Sequence, residues 1–474
     1  MKKKNIILIT TDQMRFDSYG IKNKSVITPN LDEISKNGFD FHNSYCTSPT
    51  CTPSRAAIFT GRYPQNIGAW NIGVSLNESE ITIADWLKGL GYHNVGVGKM
   101  HFRPQMRDHG GETGTFEEID VRDRGREKDN TYFGFDEHFI TEDDKRGKYL
   151  DWLKEIGIEV NEGKGNDGIN NILEEHHQTY WVGKQSCKTI ENHDFKEKPL
   201  FMWTSFVDPH HPFDPIEKFV DLYKDFDYKK IIKAENLHYK RPIHLQKQTE
   251  EKLWPGGGQE HNYTEKEINE IIKYYFAMIT FIDQEIGKIL NSLKEKEELK
   301  NTIIIFTSDH GEYLGDHGLL KKGPFLNDSL IKVPLIFYGA GIKSGQSEAI
   351  VENVDILPTV LDYLGKSIPY GIQGKSLKSI IDGKSKKVKD GAITTYDAHD
   401  VGVFIKSYRE ERYKLVIYQG EEYGELFDLL KDPNEVKNLY FDENYKEVKN
   451  NLTLQLCHRL IKDSDPLPEK KACW

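Results

Sequence analysis

Apolar positions along this chain follow two rhythms. Short unbroken apolar runs at 6–9, 94–98, 199–207, 301–306 and 333–338 predict buried strands, and 39–45 predicts a further extended segment. Between them, apolar positions recur every three or four residues, which predicts helices. The longest spans 264–299. It opens on a capping box, Thr264-x-x-Glu267, and carries a stripe through Ile268, Ile271, Ile272, Tyr275, Ile279, Ile282, Ile286, Ile289 and Leu293. A second starts at Thr28-Pro29, with Thr28 as N-cap, and stops at Gly38; 81–90 and 355–364 predict two more. Strands alternating with helices predict an α/β fold: one large, mostly parallel sheet covered by helices on both faces. Ligands of such sheets collect beyond the carboxyl ends of the strands.

The rhythm changes near Gly391. Strands at 401–405 and 413–418, the run Glu425-Leu426-Phe427-Asp428-Leu429, a turn at Asp432-Pro433-Asn434 and a helix over 447–461 predict a small α+β domain. The expected division is a catalytic domain at 1–390 and this smaller domain, with an antiparallel sheet and terminal helix, at 391–474. Two stretches interrupt the first part: a charged, Gly-rich one at 103–171, and an aromatic, basic one at 214–262 containing Trp254-Pro255-Gly256-Gly257-Gly258. They are expected either as walls of a pocket or as solvated excursions.

Composition narrows the function. The 474 residues carry a net charge of −11, which sets aside a nucleic-acid binder. An acidic protein still binds an anion where cations and a metal gather locally. The start, Met1-Lys2-Lys3-Lys4, is followed by an apolar run too short for a signal peptide and by no small-residue cleavage site, so it reads as a strand. No run is long enough to span a bilayer. Five scattered cysteines, Cys46, Cys51, Cys187, Cys457 and Cys473, suggest no disulfide framework, and the expectation is a soluble protein of a reducing cytoplasm.

The chemistry concentrates at predicted strand and helix ends. Cys51 opens the string Cys51-Thr52-Pro53-Ser54-Arg55, followed by Thr60-Gly61-Arg62. A lone cysteine is usually a small buried hydrophobe. This one precedes a proline at a predicted helix N-terminus, with Arg55 one turn on, and both features favour negative charge. Position 51 therefore suits a nucleophile beside a bound anion. Asp12-Gln13 and Asp309-His310 each follow a predicted strand, where oxygen and nitrogen ligands can converge on one cation; singly, such an Asp is as good a turn former. Lys99 and His101 end another strand. Two apart in extended chain, they are expected to face one side, a Lys to stabilise an oxyanion and a His to shuttle a proton. Asp208-Pro209-His210-His211-Pro212 follows a fourth strand, and Lys321-Lys322-Gly323 extends the segment after Asp309.

The pattern C-x-P-S-R followed by T-G-R resembles the signature of the sulfatase family, and the other motifs occur in that family's order over nearly the whole chain. The resemblance implies an alkaline-phosphatase-like fold and hydrolysis of a sulfate monoester, of a sulfated sugar or other small organic sulfate. It implies that a separate maturation enzyme oxidises Cys51 to formylglycine, whose hydrate is the nucleophile. It assigns catalysis to Cys51, Arg55, Lys99, His101, His210 and Lys322. It places one divalent metal ion, calcium first and magnesium or manganese as alternatives, on Asp12, Gln13, Cys51, Asp309 and His310. His211 competes with His210, and Lys321 with Lys322; His310 could instead contact the nucleophile, and His317 is expected to steady its loop. The sequence departs from many relatives at Gln13, where a second Asp is usual, and at Met100, where an aromatic is usual. Two other readings stay open. Phosphonate monoester hydrolases and phosphodiesterases of the same superfamily share the cysteine motif and act on esters that also carry a single negative charge. If Cys51 is never converted, the site would serve as a non-catalytic anion binder.

Overall fold

The computed structural model describes residues 2–103, 132–158, 167–226, 232, 259–260 and 263–469. Most of the two predicted insertions, including Trp254-Pro255-Gly256-Gly257-Gly258, and Cys473 lie outside these residues.

Fourteen strands are present among them: β1 (Asn5–Thr11), β2 (Phe39–Tyr45), β3 (His93–Gly98), β4 (Glu137–Ile140), β5 (Leu200–Phe206), β6 (Gln259–Glu260), β7 (Thr302–Ser308), β8 (Leu319–Leu320), β9 (Leu335–Gly339), β10 (Gly345–Glu352), β11 (Ala392–Ala398), β12 (Val403–Arg409), β13 (Tyr413–Tyr418) and β14 (Gly424–Asp428). Eight form one sheet in the order β10-β2-β9-β7-β1-β5-β3-β4. Every neighbouring pair is parallel except those made by β9, which runs antiparallel to β2 and β7. The fold is thus the predicted sheet of mixed, mostly parallel strands between helices.

Alternation along β1 shows how the two faces are covered. Ile7 and Ile9 join one core, with the long helix Glu265–Glu295 and the helix Gln178–Asn192. Ile6 and Leu8 join the other, with Ile83, Leu87, Ile356, Val360 and the Ala56, Ile58 and Phe59 face of the helix Cys51–Thr60. Side chains of successive strand residues point to opposite faces, so a strand buried on both must be apolar throughout, which is why these strands read as unbroken runs.

Register brings the functional ends level. Thr11 pairs with Ser308 and with Phe206, and Gly98 pairs with Ser205. The residues that follow, Asp12, Asp309, Val207 and Lys99, therefore emerge together at the carboxyl edge. Gly98 holds φ 96, and a Cβ there would lie 1.8 Å from the Ser205 carbonyl oxygen; only glycine lets the chain pass so close.

A four-stranded antiparallel sheet has the order β11-β12-β13-β14, and β6 pairs antiparallel with β8. The terminal helix Lys446–Lys462 seats Leu452 and Leu456 on Ile393, Tyr408, Leu415 and Leu426. β11 is anchored just upstream of the cysteine: Thr395 N donates to Thr47 O (2.9 Å) and Thr394 Oγ1 to Cys46 O (2.7 Å).

Local expectations held with shifts of a few residues and two corrections. The capping box at Thr264 and Glu267 is formed, and the predicted 81–90 helix runs Ile83–Gly89 behind a second box, Thr82 with Asp85. Thr28 precedes the helix Pro29–Asn37 without capping it, because its hydroxyl accepts from Gly20 N instead. His101 has φ 57, so the chain is not extended there and strand alternation does not decide which way Lys99 and His101 face. No helix among the described residues is long and apolar enough to cross a membrane.

Candidate active site

The helix Cys51–Thr60 starts at the carboxyl edge of the sheet and is buried along its whole length. Pro53 falls in the first turn, where its missing N–H forfeits no intrahelical bond. The helix ends on Gly61 in the left-handed region (φ 65), whose N–H donates to Ala57 O. Cys51 is thus the first helical residue, fully buried, with the positive end of the helix dipole beneath it.

Three groups converge on the Cys51 sulfur. Lys322 Nζ is 2.7 Å away, His310 Nε2 3.3 Å and Asp12 Oδ1 3.7 Å. Both nearby imidazoles are oriented by main-chain carbonyls: His310 Nδ1 donates to Gly311 O (2.9 Å) and His210 Nδ1 to His211 O (2.6 Å). A carbonyl only accepts, so the proton sits on Nδ1 and Nε2 faces the site. His210 Nε2 and His310 Nε2 lie 3.1 and 3.2 Å from Lys322 Nζ. Of the two predicted pairs, Lys322 faces the cysteine and His210 faces Lys322. Lys321 has its backbone N–H on Glu312, and His211 turns toward Gln13, its Nδ1 3.5 Å from Gln13 Nε2. His317 takes a left-handed conformation (φ 57) in the loop, and its N–H donates to Ile232 O.

Arg55, one turn into the helix, organises the layer beneath. Its Nε donates to Asp309 Oδ2 (2.8 Å), its Nη1 to Lys99 O (2.7 Å) and Ser205 Oγ (2.8 Å), and its Nη2 lies 3.4 Å from Asp12 Oδ2. Lys99 Nζ is 2.8 Å from the same Asp12 oxygen. A fully buried Arg and Lys are tolerated only because carboxylates face them.

One ligand atom from each of Asp12, Cys51, Asp309 and His310 lies within 4.8 Å of each of the others. Gln13 adjoins the group, in a left-handed backbone conformation (φ 71). The long helix holds it there through the Tyr275 hydroxyl, which donates to Gln13 O (2.7 Å) and accepts from Arg15 N (2.9 Å). Gln13 Nε2 donates to the buried Glu312 carboxylate, while Gln13 Oε1 is buried with no hydrogen-bond partner among the described residues. An orphaned amide oxygen beside two carboxylates and a bare imidazole nitrogen is a donor set that fits a hard divalent cation.

The electrostatics follow from burial and crowding. Burial, with Asp12 adding to it, pushes the Cys51 thiol up to about 11. Burial opposes the Asp12 carboxylate, but Lys99, His210, Lys322 and Arg55 outweigh it and hold it well below the usual range. Burial lowers His210, His310 and His101. For Lys322 burial is overcome by Cys51 and Asp12, and the ammonium is held above its ordinary value. His101 is buried with Nδ1 unpartnered among the described residues.

Three acids at the site were not anticipated from sequence. Glu312 accepts from Gln13 Nε2 and from the N–H groups of Leu314 and Lys321, so it braces the metal-side loop. Glu142 and Asp143 approach Lys99 from the turn after β4. Glu312 stands three residues after Asp309, a spacing that marks a turn back toward the same centre. Nothing in the local pattern points to the other two.

The chain is similar to known proteins over almost its full length. The sequence model of the Sulfatase family matches residues 4–366, and that of the N-sulphoglucosamine sulphohydrolase C-terminal region matches residues 315–462. An arylsulfatase of Clostridium perfringens is 33% identical over 471 aligned residues, spanning 94% of this chain and 92% of the relative. Among solved structures, a phosphonate monoester hydrolase of Agrobacterium radiobacter superposes with a TM-score of 0.83 at 25% identity, covering 98% of this chain and 97% of its own. A protein solved with its substrate D-glucosamine-2-N,6-O-disulfate superposes at 0.77 with 23% identity, covering 99% of this chain and 100% of its own, a likeness of fold. The cysteine helix, the strand-end ligands and these matches together establish that the chain is a sulfuric ester hydrolase belonging to the sulfatase family of the alkaline phosphatase superfamily.

Proposed function

We propose that this enzyme cleaves a sulfate monoester of a sugar or other small alcohol at a formylglycine formed from Cys51 by a separate maturation enzyme, beside one divalent metal ion. The observation that carries the reading is the convergence of Lys322 Nζ, His310 Nε2 and Asp12 Oδ1 on the Cys51 sulfur. Burial holds the unconverted thiol up at about 11, so by itself it is a poor nucleophile at neutral pH.

Asp12, Gln13, Asp309 and His310, with residue 51, would hold the cation; bound there it would supply Lewis-acid charge, as the aldehyde hydrate would supply the attacking oxygen. Calcium suits the oxygen donors, and the imidazole donor also suits manganese. The chain's own groups do the rest. Lys99 Nζ and Lys322 Nζ bind the sulfate oxygens and orient the ester, and His210 Nε2 joins them as an imidazolium once the anion is bound. Lys322 Nζ, or His210 Nε2 beside it, gives the departing alcohol its proton. Arg55 fixes Asp12 and Asp309 and adds positive charge beneath the reacting group. His101 Nδ1 accepts the proton released when residue 51 is regenerated.

A second reading is favoured by one observation: the Asp12-Gln13 and Asp309-His310 ligand set, joined to a likeness at 25% identity to a phosphonate monoester hydrolase. The test is sulfate release against phosphonate-ester hydrolysis by protein co-expressed with a formylglycine-generating enzyme, with Cys51→Ala as control. The expected result is faster cleavage of the sulfate ester, lost by a factor of about 10^4 or more in the variant. Preference for the phosphorus ester would move the enzyme to the second reading. Turnover that survives Cys51→Ala would refute both.

A further inference from the structure

Two carboxylates stand among the groups that face the ester, and neither belongs to the cluster of candidate metal ligands. Asp143 Oδ2 is 3.8 Å from Lys99 Nζ and 3.8 Å from His210 Nε2, and Glu142 Oε2 is 3.9 Å from Lys99 Nζ. Both acids are buried, and buried carboxylates are expensive to keep charged unless something gains from them.

The turn that delivers them is held from several sides. Thr141 N donates to Gly98 O (3.2 Å), so the turn starts beside the strand end that carries Lys99. Gln178, at the start of the helix Gln178–Asn192, donates from Nε2 to Thr141 Oγ1 (2.7 Å) and to Glu142 O (2.8 Å). Lys145 N closes the turn on Glu142 O (3.0 Å). The Lys145 ammonium pairs with Asp214, on the segment that carries His210. The two loops are thereby tied together, and Asp143 is fixed between a lysine and a histidine of the site.

A carboxylate in that position draws on the positive field of Lys99, beside His210, and repels any further negative charge brought there. An ester with one negative charge can be bound through the field that is left. An ester with two suffers the loss twice, and rejection of a wrong ligand by a fixed like charge is how specificity is commonly built. We propose that Glu142 and Asp143 are specificity-determining residues that set the charge the site accepts, favouring singly charged esters over phosphate monoesters carrying two charges. The inference rests on the reading above that Lys99 and His210 hold the ester's oxygens.

The test separates the two. Binding of p-nitrophenyl sulfate and p-nitrophenyl phosphate is measured by calorimetry on the full-length Cys51→Ala protein, which cannot turn them over. The measurement is made at about pH 8, where the phosphate ester carries both charges. It is repeated with Asp143→Asn and with Glu142→Gln added. In Asp143→Asn the affinity for the phosphate ester relative to the sulfate ester should rise by about tenfold or more, with a smaller rise in Glu142→Gln, whose carboxylate approaches Lys99 at 3.9 Å. A merely structural role would weaken both esters in parallel, and an unchanged ratio in the folded variants overturns the proposal. If Asp143→Asn does not fold, the ratio in Glu142→Gln decides. A chain that shows this charge preference yet hydrolyses neither ester when matured would contradict the proposed reaction and leave the specificity role standing.

Discussion

Two buried clusters of charge in this molecule have similar contents and opposite character. One surrounds Glu352 at the end of β10, where the terminal helix and β11 meet the large sheet. Glu352 Oε1 accepts from Ile393 N (2.9 Å), and Oε2 accepts from Tyr63 (2.9 Å), Lys389 (2.6 Å) and Arg459 (3.1 Å). Asp355 takes the Glu352 N–H, the Lys375 N–H and Lys389. None of these carboxylate oxygens or ammonium nitrogens is without a partner. The other cluster surrounds Cys51. There Lys322 faces a thiol and two imidazoles rather than a carboxylate, and Gln13 Oε1, Arg55 Nη2 and His101 Nδ1 are buried without a hydrogen-bond partner among the described residues. A closed network holds a fold together; a network left open in the interior is organised for something that arrives from outside.

Mutation should separate the clusters. Glu352→Gln removes one carboxylate from a network in which Lys389 keeps Asp355 and Arg459 keeps Asp463, and should cost about 1–3 kcal/mol of stability, read from urea unfolding, while KM of the folded enzyme for an aryl sulfate stays the same. A large change in KM would show that this cluster serves the site as well. Lys322→Met should do the reverse, lowering kcat by about 10²–10³-fold with little loss in thermal midpoint, because its Nζ meets a thiol and two imidazoles and no carboxylate within ion-pair distance. A midpoint that falls with kcat would make Lys322 a structural lysine.

The comparison sharpens further through pH. His177 caps the helix that holds the Glu142 turn, its Nδ1 accepting from Thr179 N, and burial together with Lys145 pushes it down to about 3 from an ordinary 6.5. Between those values the unfolded chain binds a proton that the folded chain refuses. Stability should therefore fall as pH drops from 6.5 toward 3, by up to about 1.4 kcal/mol per pH unit from this group, and its share should be level above 6.5. His177→Asn keeps an acceptor for the cap and should flatten that slope between pH 7 and 5 in urea titrations. An unchanged slope would mean that other groups carry it.

The parts of the site that were legible in the sequence are those written locally. Asp12, Lys99 and Asp309 follow strands buried on both faces, so each strand shows as an apolar run and its end can be located. Cys51, Pro53 and Arg55 lie within one helical turn. Glu142 and Asp143 were not legible because the strand before them, β4, is an edge strand of four residues, half of them polar, recognisable only by its pairing with β3. β10 and β11 were missed for a related reason: half of β10 is solvent-facing, and β11 is rich in Thr that packs against the loop before Cys51. The helix Gln178–Asn192 lacks a clean apolar stripe because small and polar residues, Gly183 and Ser186, make its closest contacts. The facing of His101 was not legible from strand alternation, because its own left-handed conformation breaks the alternation.

The most direct test of the central claim is the mass of the residue-51 peptide, measured on preparations matured to different extents and set against their rates of sulfate release. The account predicts that activity rises in proportion to the fraction carrying formylglycine and vanishes where the thiol is intact. Full activity in protein whose Cys51 thiol is intact would contradict it.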